Sequence, residues 1–277
     1  MKKTKLLHRT LFYAVALALS AVFVLPYAWM VRSALMDQAQ IFVLPPEWIP
    51  RPFRFENFAE ALTLFPFSAY LLNTLTILCI SMVGLLATST LAAFGFSRVS
   101  WKGRDWLFGL ILTSMMLPGF VTLIPTFIGW RTLGFYDTFV PLIAPAFFGG
   151  GAFNIFLLRQ FYKTIPLELD EAAYVDGAGY FRIYWQIILP LSRSPIIVVA
   201  LFAFMYYWND FFDPLIYLED EEKFTLSLGL QQFLGMYNAQ WHLLMAASTA
   251  VITPALALFV IGQKYFVKGI ALTGLKG

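Results

Sequence analysis

A polar stretch interrupts the second half of this apolar sequence: residues 171–190 read EAAYVDGAGYFRIYWQIILP, with two acids, one arginine and two glycines. The carboxylates of Glu171 and Asp176 suit ion pairs with basic groups of another protein. The patterns GxSxG, HExxH and GxxxxGK[ST], which indicate catalysis or phosphate binding, do not occur in the sequence. The two histidines, His8 and His242, are far apart and lack the spacing of metal ligands. The chemistry that this stretch supports is therefore recognition of a partner, without bond making.

The composition indicates an all-α integral membrane protein. Of the 277 residues, 60% are hydrophobic and 13% are charged, whereas a soluble domain carries about 25% charged residues. A bilayer presents about 30 Å of hydrocarbon, which about 20 apolar residues cross as a helix. Prolines and glycines, such as Pro118 and Gly149, predict irregular helices in the middle of the chain. Six apolar runs are long enough to span, approximately 11–31, 69–96, 106–128, 138–158, 195–213 and 241–263.

The first apolar run could belong to a cleaved secretory signal, because it follows four basic residues and contains ALALSA. It continues through Trp29 and Met30, however, and is longer than the hydrophobic region of a signal peptide, which is about 7–15 residues. We therefore expect an uncleaved membrane anchor, and a cleaved signal is the alternative.

Lysines and arginines are distributed unevenly between the predicted loops. With the N-terminus in the cytoplasm, the cytoplasmic segments hold fourteen of these residues and the outer segments hold five. Because cytoplasmic loops are enriched in Lys and Arg, we predict that both termini are cytoplasmic. The longest predicted cytoplasmic loop, 159–194, then contains the polar stretch 171–190.

The sequence of this loop predicts two short helices joined at a glycine. Pro166 suits the first turn of a helix, and the acids that follow suit its positive N-terminal end. We expect Gly177 to end this helix in a left-handed conformation, and Pro190 to end the second helix. In the second helix, Arg182 and Gln186 lie opposite a predicted apolar face of Phe181, Tyr184, Trp185 and Ile188. The alternative is an amphipathic loop that only re-enters the headgroup region.

The spacing of ten residues in this loop resembles the cytoplasmic EAA signature of permeases of ATP-binding-cassette (ABC) importers. The signature runs EAA, two residues, DGA, five residues, an aromatic residue, two residues, I, one residue and LP, and the chain has Tyr184 where Phe is more common. The matching positions are Glu171, Ala172, Ala173, Asp176, Gly177, Ala178, Tyr184, Ile187, Leu189 and Pro190. The stretches WNDF at 208–211, FTLSLGLQQF at 224–233 and the ending GIALTGLKG are similar to the carbohydrate-uptake branch, which includes the smaller permease subunit of maltose importers.

This resemblance implies the fold of a type I ABC importer permease with six transmembrane helices. It implies three parts: residues 1–68 with the first helix and an extracytoplasmic loop, 69–265 as the core that contains the loop 159–194, and 266–277 as a cytoplasmic tail in contact with ATPase subunits. The resemblance also assigns the coupling to these ATPases to Glu171, Ala172, Ala173, Asp176, Gly177, Ala178, Leu189 and Pro190.

The partners that the resemblance implies are a homologous second permease, a dimer of cytoplasmic ABC ATPases, an extracytoplasmic sugar-binding protein and membrane lipid. ATP and Mg are expected on the ATPase subunits, so that this chain holds no cofactor or metal and is not an enzyme. The net charge of +3 is too small to indicate nucleic acid. The implied location is the cytoplasmic (inner) membrane, which the chain crosses several times.

We predict a sugar pathway in the outer half of the fifth apolar run. If the helix enters the hydrocarbon near Ile196, Asn209 stands roughly 20 Å along a core of roughly 30 Å. Proteins bind sugars with aromatic faces and with amide or carboxylate groups. Both kinds of group occur consecutively in the sequence, at Tyr206, Tyr207, Trp208, Asn209 and Asp210. Further candidates are Asn73, Tyr237, Asn238 and Trp241. The alternative for the aromatic residues is an interfacial belt.

Other transported solutes stay open at this point, among them glycerol phosphate, an amino acid and a polyamine. A phosphorylated substrate would favour several arginines along the pathway, and the apolar runs lack them. An ion-driven transporter is a further alternative, and such proteins carry ionisable residues deep in their spans. Here Arg32, Asp210 and Asp213 fall near the outer ends of their runs, which favours an importer driven by ATP.

Overall fold

The computed structural model describes residues 2–235 and 239–274, and every regular element in these ranges is helical. This agrees with the predicted all-α class. The chain forms two compact units. The N-terminal unit comprises the residues up to 68 together with 229–254, and the core unit comprises 69–228 together with the residues from 255 onward.

The N-terminal unit contains α1 (Lys2–Ala34), α2 (Gln38–Ile41), α3 (Glu56–Thr63) and the first part of the last helix. The side-chain amide of Asn57 donates hydrogen bonds of 2.9 Å to the carbonyls of Ala34 and Met36. Because the last carbonyls of a helix lack partners within it, these bonds secure the end of α1. The small core around this point contains Ala34, Ala61, Phe233, Leu243, Ala246 and Ala247.

The core unit is organised around the long helix α4 (Phe67–Ser97). The next helices are α5 (Arg104–Ser114), α6 (Gly119–Thr132), α7 (Val140–Ile143), α8 (Ala152–Tyr162) and α9 (Glu168–Val175). They are followed by α10 (Tyr180–Leu191), α11 (Arg193–Asn209), α12 (Phe212–Tyr217), α13 (Leu226–Gly229) and α14 (Trp241–Gly274), the helix that the two units share. The largest apolar cluster includes Leu85, Phe94, Leu158, Tyr162, Ile183, Ile188 and Val199, from α4, α8, α10 and α11.

Four segments are long and apolar enough to cross a membrane: His8–Ala34, Phe67–Ser97, Val140–Tyr162 and Trp241–Gln263. Two bent helix pairs meet the same test, α5 with α6 at 96° and α10 with α11 at 79°. The described residues therefore offer four spans, or up to six if each bent pair counts as one span. This range contains the predicted number of six.

The structure corrects several predicted helix boundaries. The run 106–128 is bent where Pro118 separates α5 from α6, because proline lacks an N–H and restricts the preceding residue. The run 195–213 ends as a helix at Asn209, since Asp210 has extended backbone angles. Pro190 does not end α10, which continues to Leu191. A wide turn over residues 184–188 precedes this proline, and a missing N–H is tolerated where the hydrogen-bond ladder is already interrupted.

The predicted orientation can be tested by labelling single cysteines with a membrane-impermeant maleimide after replacement of Cys79 by serine. Ser100, Tyr180, Leu133 and Asp220 are all exposed. Cysteines at 100 and 180 should react in inside-out vesicles, and cysteines at 133 and 220 in intact cells or spheroplasts, because we predict that the basic loops lie in the cytoplasm. Labelling of position 180 from the outside would contradict the orientation.

Candidate functional site

The loop between α8 and α11 forms the predicted helix–glycine–helix element. Gly177 follows α9 with φ of +77°, as predicted. The amide of Gly177 donates to the carbonyl of Tyr174 at 3.0 Å, and the amide of Ala178 donates to the carbonyl of Ala173 at 2.9 Å. These two bonds form a Schellman motif, which needs a left-handed residue at the position of Gly177. The turn therefore sets the direction in which α10 leaves α9.

One face of the loop packs against the core unit. Ala178, Ile183, Tyr184 and Ile188 are buried in the main apolar cluster, and Ala173 packs against it. The hydroxyl groups of Tyr184 and Thr90 lie 2.8 Å apart in a buried hydrogen bond with α4. This packing holds the loop against the membrane-spanning helices.

The opposite face exposes a second set of apolar side chains, which we call the exposed aromatic face. Phe181 and Trp185 are 72% and 62% exposed, and Val175 is also exposed. The predicted single face of Phe181, Tyr184, Trp185 and Ile188 is therefore wrong: Tyr184 and Ile188 point inward, whereas Phe181 and Trp185 point outward. The reason is that neighbouring positions of a helix point about 100° apart, so that a short helix with apolar residues all round can serve two surfaces.

The signature residues divide between these two faces. Ala173, Ala178 and Leu189 contact the core cluster. Two further signature residues, Tyr184 and Ile187, also belong to or pack against this cluster. The other five are exposed: Glu171, Ala172, Asp176, Gly177 and Pro190. The two predicted carboxylates are thus accessible to a partner.

A buried ion pair ties this loop to the end of α4. Arg98 follows the last residue of α4, and its Nη1 lies 3.2 Å from Oδ2 of Asp170 in α9. Arg98 Nη2 also donates to the carbonyls of Tyr162 and Ile165 at 2.5 and 2.6 Å. Burial raises the pKa of Asp170 above its ordinary value, and the Arg98 guanidinium offsets this only in part. The sequence did not predict the pairing of these two residues, which lie 72 positions apart along the chain.

A second buried arginine connects the same helix ends in the other direction. Arg159 of α8 donates from Nε to the carbonyl of Phe96 at 3.0 Å. Its Nη2 lies 3.0 Å from Oδ1 of Asp105 in α5, and its guanidinium carbon is 3.9 Å from the ring centroid of Phe108. Because the carbonyl end of a helix is the negative end, these arginines stabilise the ends of α4 and α8.

The core unit contains a partly open cavity of about 570 Å³ beside a break in Val140–Tyr162, the segment that corresponds to the fourth predicted span. Gly149, Gly150 and Gly151 all have positive φ, and a Cβ on Gly150 would lie 2.3 Å from Cγ of Leu85. The Asn154 amide donates to the Gly150 carbonyl at 2.6 Å, which secures the break. Non-helical backbone at membrane depth is tolerated where it is buried or lines a cavity. The lining consists of Leu85, Pro145, Ala146, Gly150, Gly151, Phe153, Asn154, Phe202, Ala203, Tyr206 and Tyr207.

Only part of the predicted pathway segment, residues 206–210, lines the cavity. Tyr206 and Tyr207 line it, whereas Trp208 is buried in a stack with Phe204 at 5.3 Å. The side chain of Asn209 donates to the carbonyl of Met205, and Asp210 accepts from the amide of Asp213. Trp208, Asn209 and Asp210 are thus not among the lining residues. Asn154 was not predicted from the sequence, although its position three residues after Gly151, the last of three consecutive glycines, could have indicated it.

The other pathway candidates lie elsewhere. Asn73 donates to the carbonyls of Glu222 and Phe224 at 2.8 and 3.0 Å, and so holds a loop segment against α4. Trp241 begins α14 and makes an edge-to-face contact with Phe42 in the N-terminal unit. Tyr237 and Asn238 lie outside the described residues, as do the last three residues of the predicted tail.

Comparisons with known proteins are consistent with this architecture. Residues 80–272 match the family described as binding-protein-dependent transport system inner membrane component. The probable ABC transporter permease protein YurM of Bacillus subtilis is 34% identical over 256 residues, which cover 91% of this chain and 83% of YurM. The sn-glycerol-3-phosphate transport system permease protein UgpE of Yersinia enterocolitica is 31% identical and covers 86% of this chain and 87% of its own length.

A solved structure has the same fold. It belongs to a bacterial ABC transporter involved in the import of the acidic polysaccharide alginate, with a TM-score of 0.81, 23% sequence identity and coverage of 93% of this chain and 96% of that chain. Together, the family match over most of the chain, the permease relatives and the loop geometry lead to one conclusion. The chain belongs to the family of binding-protein-dependent transport system inner membrane components, and it is a permease subunit of an ABC importer.

Proposed function

We propose that this chain conducts a sugar across the cytoplasmic membrane, as one permease subunit of an importer driven by ATP. The observation that carries the substrate class is the lining of the cavity beside the broken fourth span. Tyr206, Tyr207, Phe153 and Phe202 offer aromatic faces, and Asn154 and the glycine backbone offer polar groups. Aromatic faces with hydrogen-bonding groups suit the C–H surfaces and hydroxyls of a sugar.

The charges around the cavity favour a neutral sugar over a phosphorylated solute. No charged residue is among the lining residues in the described part of the chain. Asp210 and Asp213 lie just beyond the end of α11, and Asp213 accepts a hydrogen bond of 3.2 Å from the Tyr206 hydroxyl. Phosphate recognition normally uses arginine forks, and carboxylates would repel an anion. Glycerol phosphate is nevertheless the second candidate, because UgpE is named for its transport.

We further propose that the loop 159–194 couples this chain to cytoplasmic ATPases. The exposed aromatic face presents apolar area that a soluble partner could cover, and exposed apolar patches mark interaction sites. Glu171 and Asp176 lie beside it and are exposed, so they can pair with basic groups of the ATPase. The other proposed partners are a second, homologous permease and an extracytoplasmic binding protein, with both termini of this chain in the cytoplasm.

The test of the substrate is to purify the intact complex through a tag on this chain, reconstitute it in lipid nanodiscs with its binding protein, and measure ATP hydrolysis with a panel of solutes. The panel contains neutral mono- and oligosaccharides, alginate oligosaccharides and glycerol 3-phosphate. We expect stimulation by a neutral sugar. Stimulation by glycerol 3-phosphate alone would contradict the proposed substrate class.

Substitution in the cavity should affect sugar handling without affecting assembly. In Tyr206→Ala the loss of one stacking face is expected to cost about 0.5–1.5 kcal/mol, which corresponds to a rise of about two- to tenfold in the half-saturating sugar concentration. Met205→Ala is the matched control, because Met205 is the neighbouring residue and does not line the cavity. A change in sugar preference in Asn209→Ala or Trp208→Ala, with none in Tyr206→Ala, would place the pathway outside this cavity.

Substitution at the turn of the loop should uncouple transport from ATP hydrolysis. Gly177→Val forces a β-branched residue to a φ of +77°, at a cost of roughly 1–3 kcal/mol, and misdirects α10. We expect uptake to fail in a chain that still inserts into the membrane. Gly179→Val is the control, since Gly179 is equally open but has an ordinary φ of −82°. Normal uptake and normal substrate-stimulated ATP hydrolysis in Gly177→Val would show that the loop is not the coupling element.

The exposed aromatic face should determine how much ATPase copurifies with the permease. A buried aromatic anchor at an interface contributes about 2 kcal/mol or more, so Phe181→Glu and Trp185→Glu should lower the ratio of ATPase to permease in quantitative mass spectrometry. Leu133→Glu is the control, because Leu133 is a similarly exposed apolar residue on the predicted outer side. An unchanged ratio in both loop variants would mean that the ATPases bind elsewhere.

A further inference from the structure

We propose that Arg98 and Asp170 form the joint through which movement of the coupling loop reaches α4, so that both are positioning residues for transport. This inference rests on the proposed coupling role of the loop 159–194. It adds the residues that connect the loop to a membrane-spanning helix, which the signature of the loop does not include.

The buried Arg98 side chain bonds to three segments of the chain. Its side chain is 2% exposed and that of Asp170 is 8% exposed. One guanidinium bonds to the Asp170 carboxylate in α9, to the carbonyl of Tyr162 at the end of α8 and to the carbonyl of Ile165 in the following turn. Because Arg98 directly follows α4, and its amide donates to the carbonyl of Phe94 at 2.8 Å, the planar fork fixes α9 and the end of α8 relative to α4.

Further side-chain contacts connect the helix ends next to this joint, which we call the helix-end frame. Arg159 joins the end of α8 to the carbonyl of Phe96 in α4 and to Asp105 in α5. Tyr162, whose carbonyl Arg98 contacts, is fully buried in the main apolar cluster. The ends of α4 and α8 are therefore connected by the buried side chains of Arg98 and Arg159, and Arg159 also bonds to the exposed carboxylate of Asp105 in α5. A displacement of α9 passes into this frame through Asp170.

The energetics of the pair favour a role in orientation over a role in stability. Asp170 Oδ1 and Arg98 Nε are buried without a hydrogen-bond partner in the described part of the chain. An ion pair with unsatisfied atoms does not recover its full desolvation cost, and apolar residues in place of such pairs are often neutral or stabilising. What apolar residues cannot supply is the directed set of bonds from one guanidinium to three elements. The position of Asp170 next to the exposed Glu171 places this joint one residue from the partner surface.

The test compares the internal geometry of the chain in two states of the intact complex. Spin labels are attached to Cys79, an exposed residue of α4, and to a cysteine introduced by Glu168→Cys, an exposed position at the start of α9, with cysteines of the partner subunits replaced. Distances are measured by double electron–electron resonance in nanodiscs, without nucleotide and after trapping with ATP, Mg and vanadate. In the unaltered joint we expect one narrow distribution that is the same in both states.

The double variant Arg98→Met/Asp170→Leu should assemble, because it leaves no unpaired buried charge. It should broaden the distance distribution and lower uptake, with the substrate stimulation of ATP hydrolysis falling by about 2- to 30-fold, the range for substitutions in a coupling network. If the double variant does not assemble, Arg98→Gln/Asp170→Asn carries the same expectation, since it also leaves no unpaired buried charge and keeps polar side chains at both positions. Lys163→Met is the control, because it removes an exposed cation at the end of α8 and leaves the joint intact.

Failure of this inference can be told apart from failure of the coupling proposal. A narrow distribution and normal uptake in Arg98→Met/Asp170→Leu, or in Arg98→Gln/Asp170→Asn if that variant carries the test, would overturn the joint and leave the loop's role intact. Gly177→Val acts at the partner surface, so it should impair uptake while the 79–168 distance stays unchanged. Normal uptake in Gly177→Val would overturn the coupling role on which the joint depends.

Discussion

Backbone polar groups within hydrocarbon must find partners inside the protein, and the architecture of the core unit depends on this constraint. The fourth span is broken at three glycines, yet polar side chains pair with the break. The Thr88 hydroxyl accepts from the amide of Gly149 and donates to the carbonyl of Ala146, and Asn154 bonds to Gly150. The cavity lies at this break, where polar backbone stands beside aromatic side chains. The break at residues 149–151 exposes backbone groups that need hydrogen-bond partners. The same groups are the polar part of the proposed sugar site.

The predicted cytoplasmic ends of the helices meet the constraint in another way. Each helix leaves its last carbonyls without partners, and two buried arginines supply donors to them across helices. Arg98 extends from α4 to the end of α8, and Arg159 extends from α8 to the end of α4. A guanidinium is planar and carries five N–H donors, so it can satisfy several acceptors and still fix their directions. The helix ends that carry the loop are therefore joined by directional bonds as well as by apolar packing.

The loop itself has the two faces expected of a part that connects a membrane protein to a soluble one. Its inner side contributes Ile183, Tyr184 and Ile188 to the main cluster, so that it cannot move independently of the spans. Its outer side exposes Phe181 and Trp185, although exposure of aromatic area to water is unfavourable. Our proposal that an ATPase subunit covers this area accounts for both faces at once. The Schellman turn at Gly177 fixes the angle between the two helices that present them.

The sequence by itself determined the features that depend on local chemistry. Apolar runs indicate membrane helices because a bilayer demands length and apolarity, and the glycine after α9 indicates a left-handed cap because other residues are strained there. The signature spacing led to the family, which the comparisons confirm. Only the tertiary structure decided which faces of α10 and α11 are buried, because neighbouring positions differ by about 100° and several apolar residues compete for one side. It also decided the pairing of Arg98 with Asp170 and the meeting of Asn154 with Tyr206 and Tyr207 at one cavity. Such contacts join residues far apart in the chain, and no local rule of spacing or propensity specifies them.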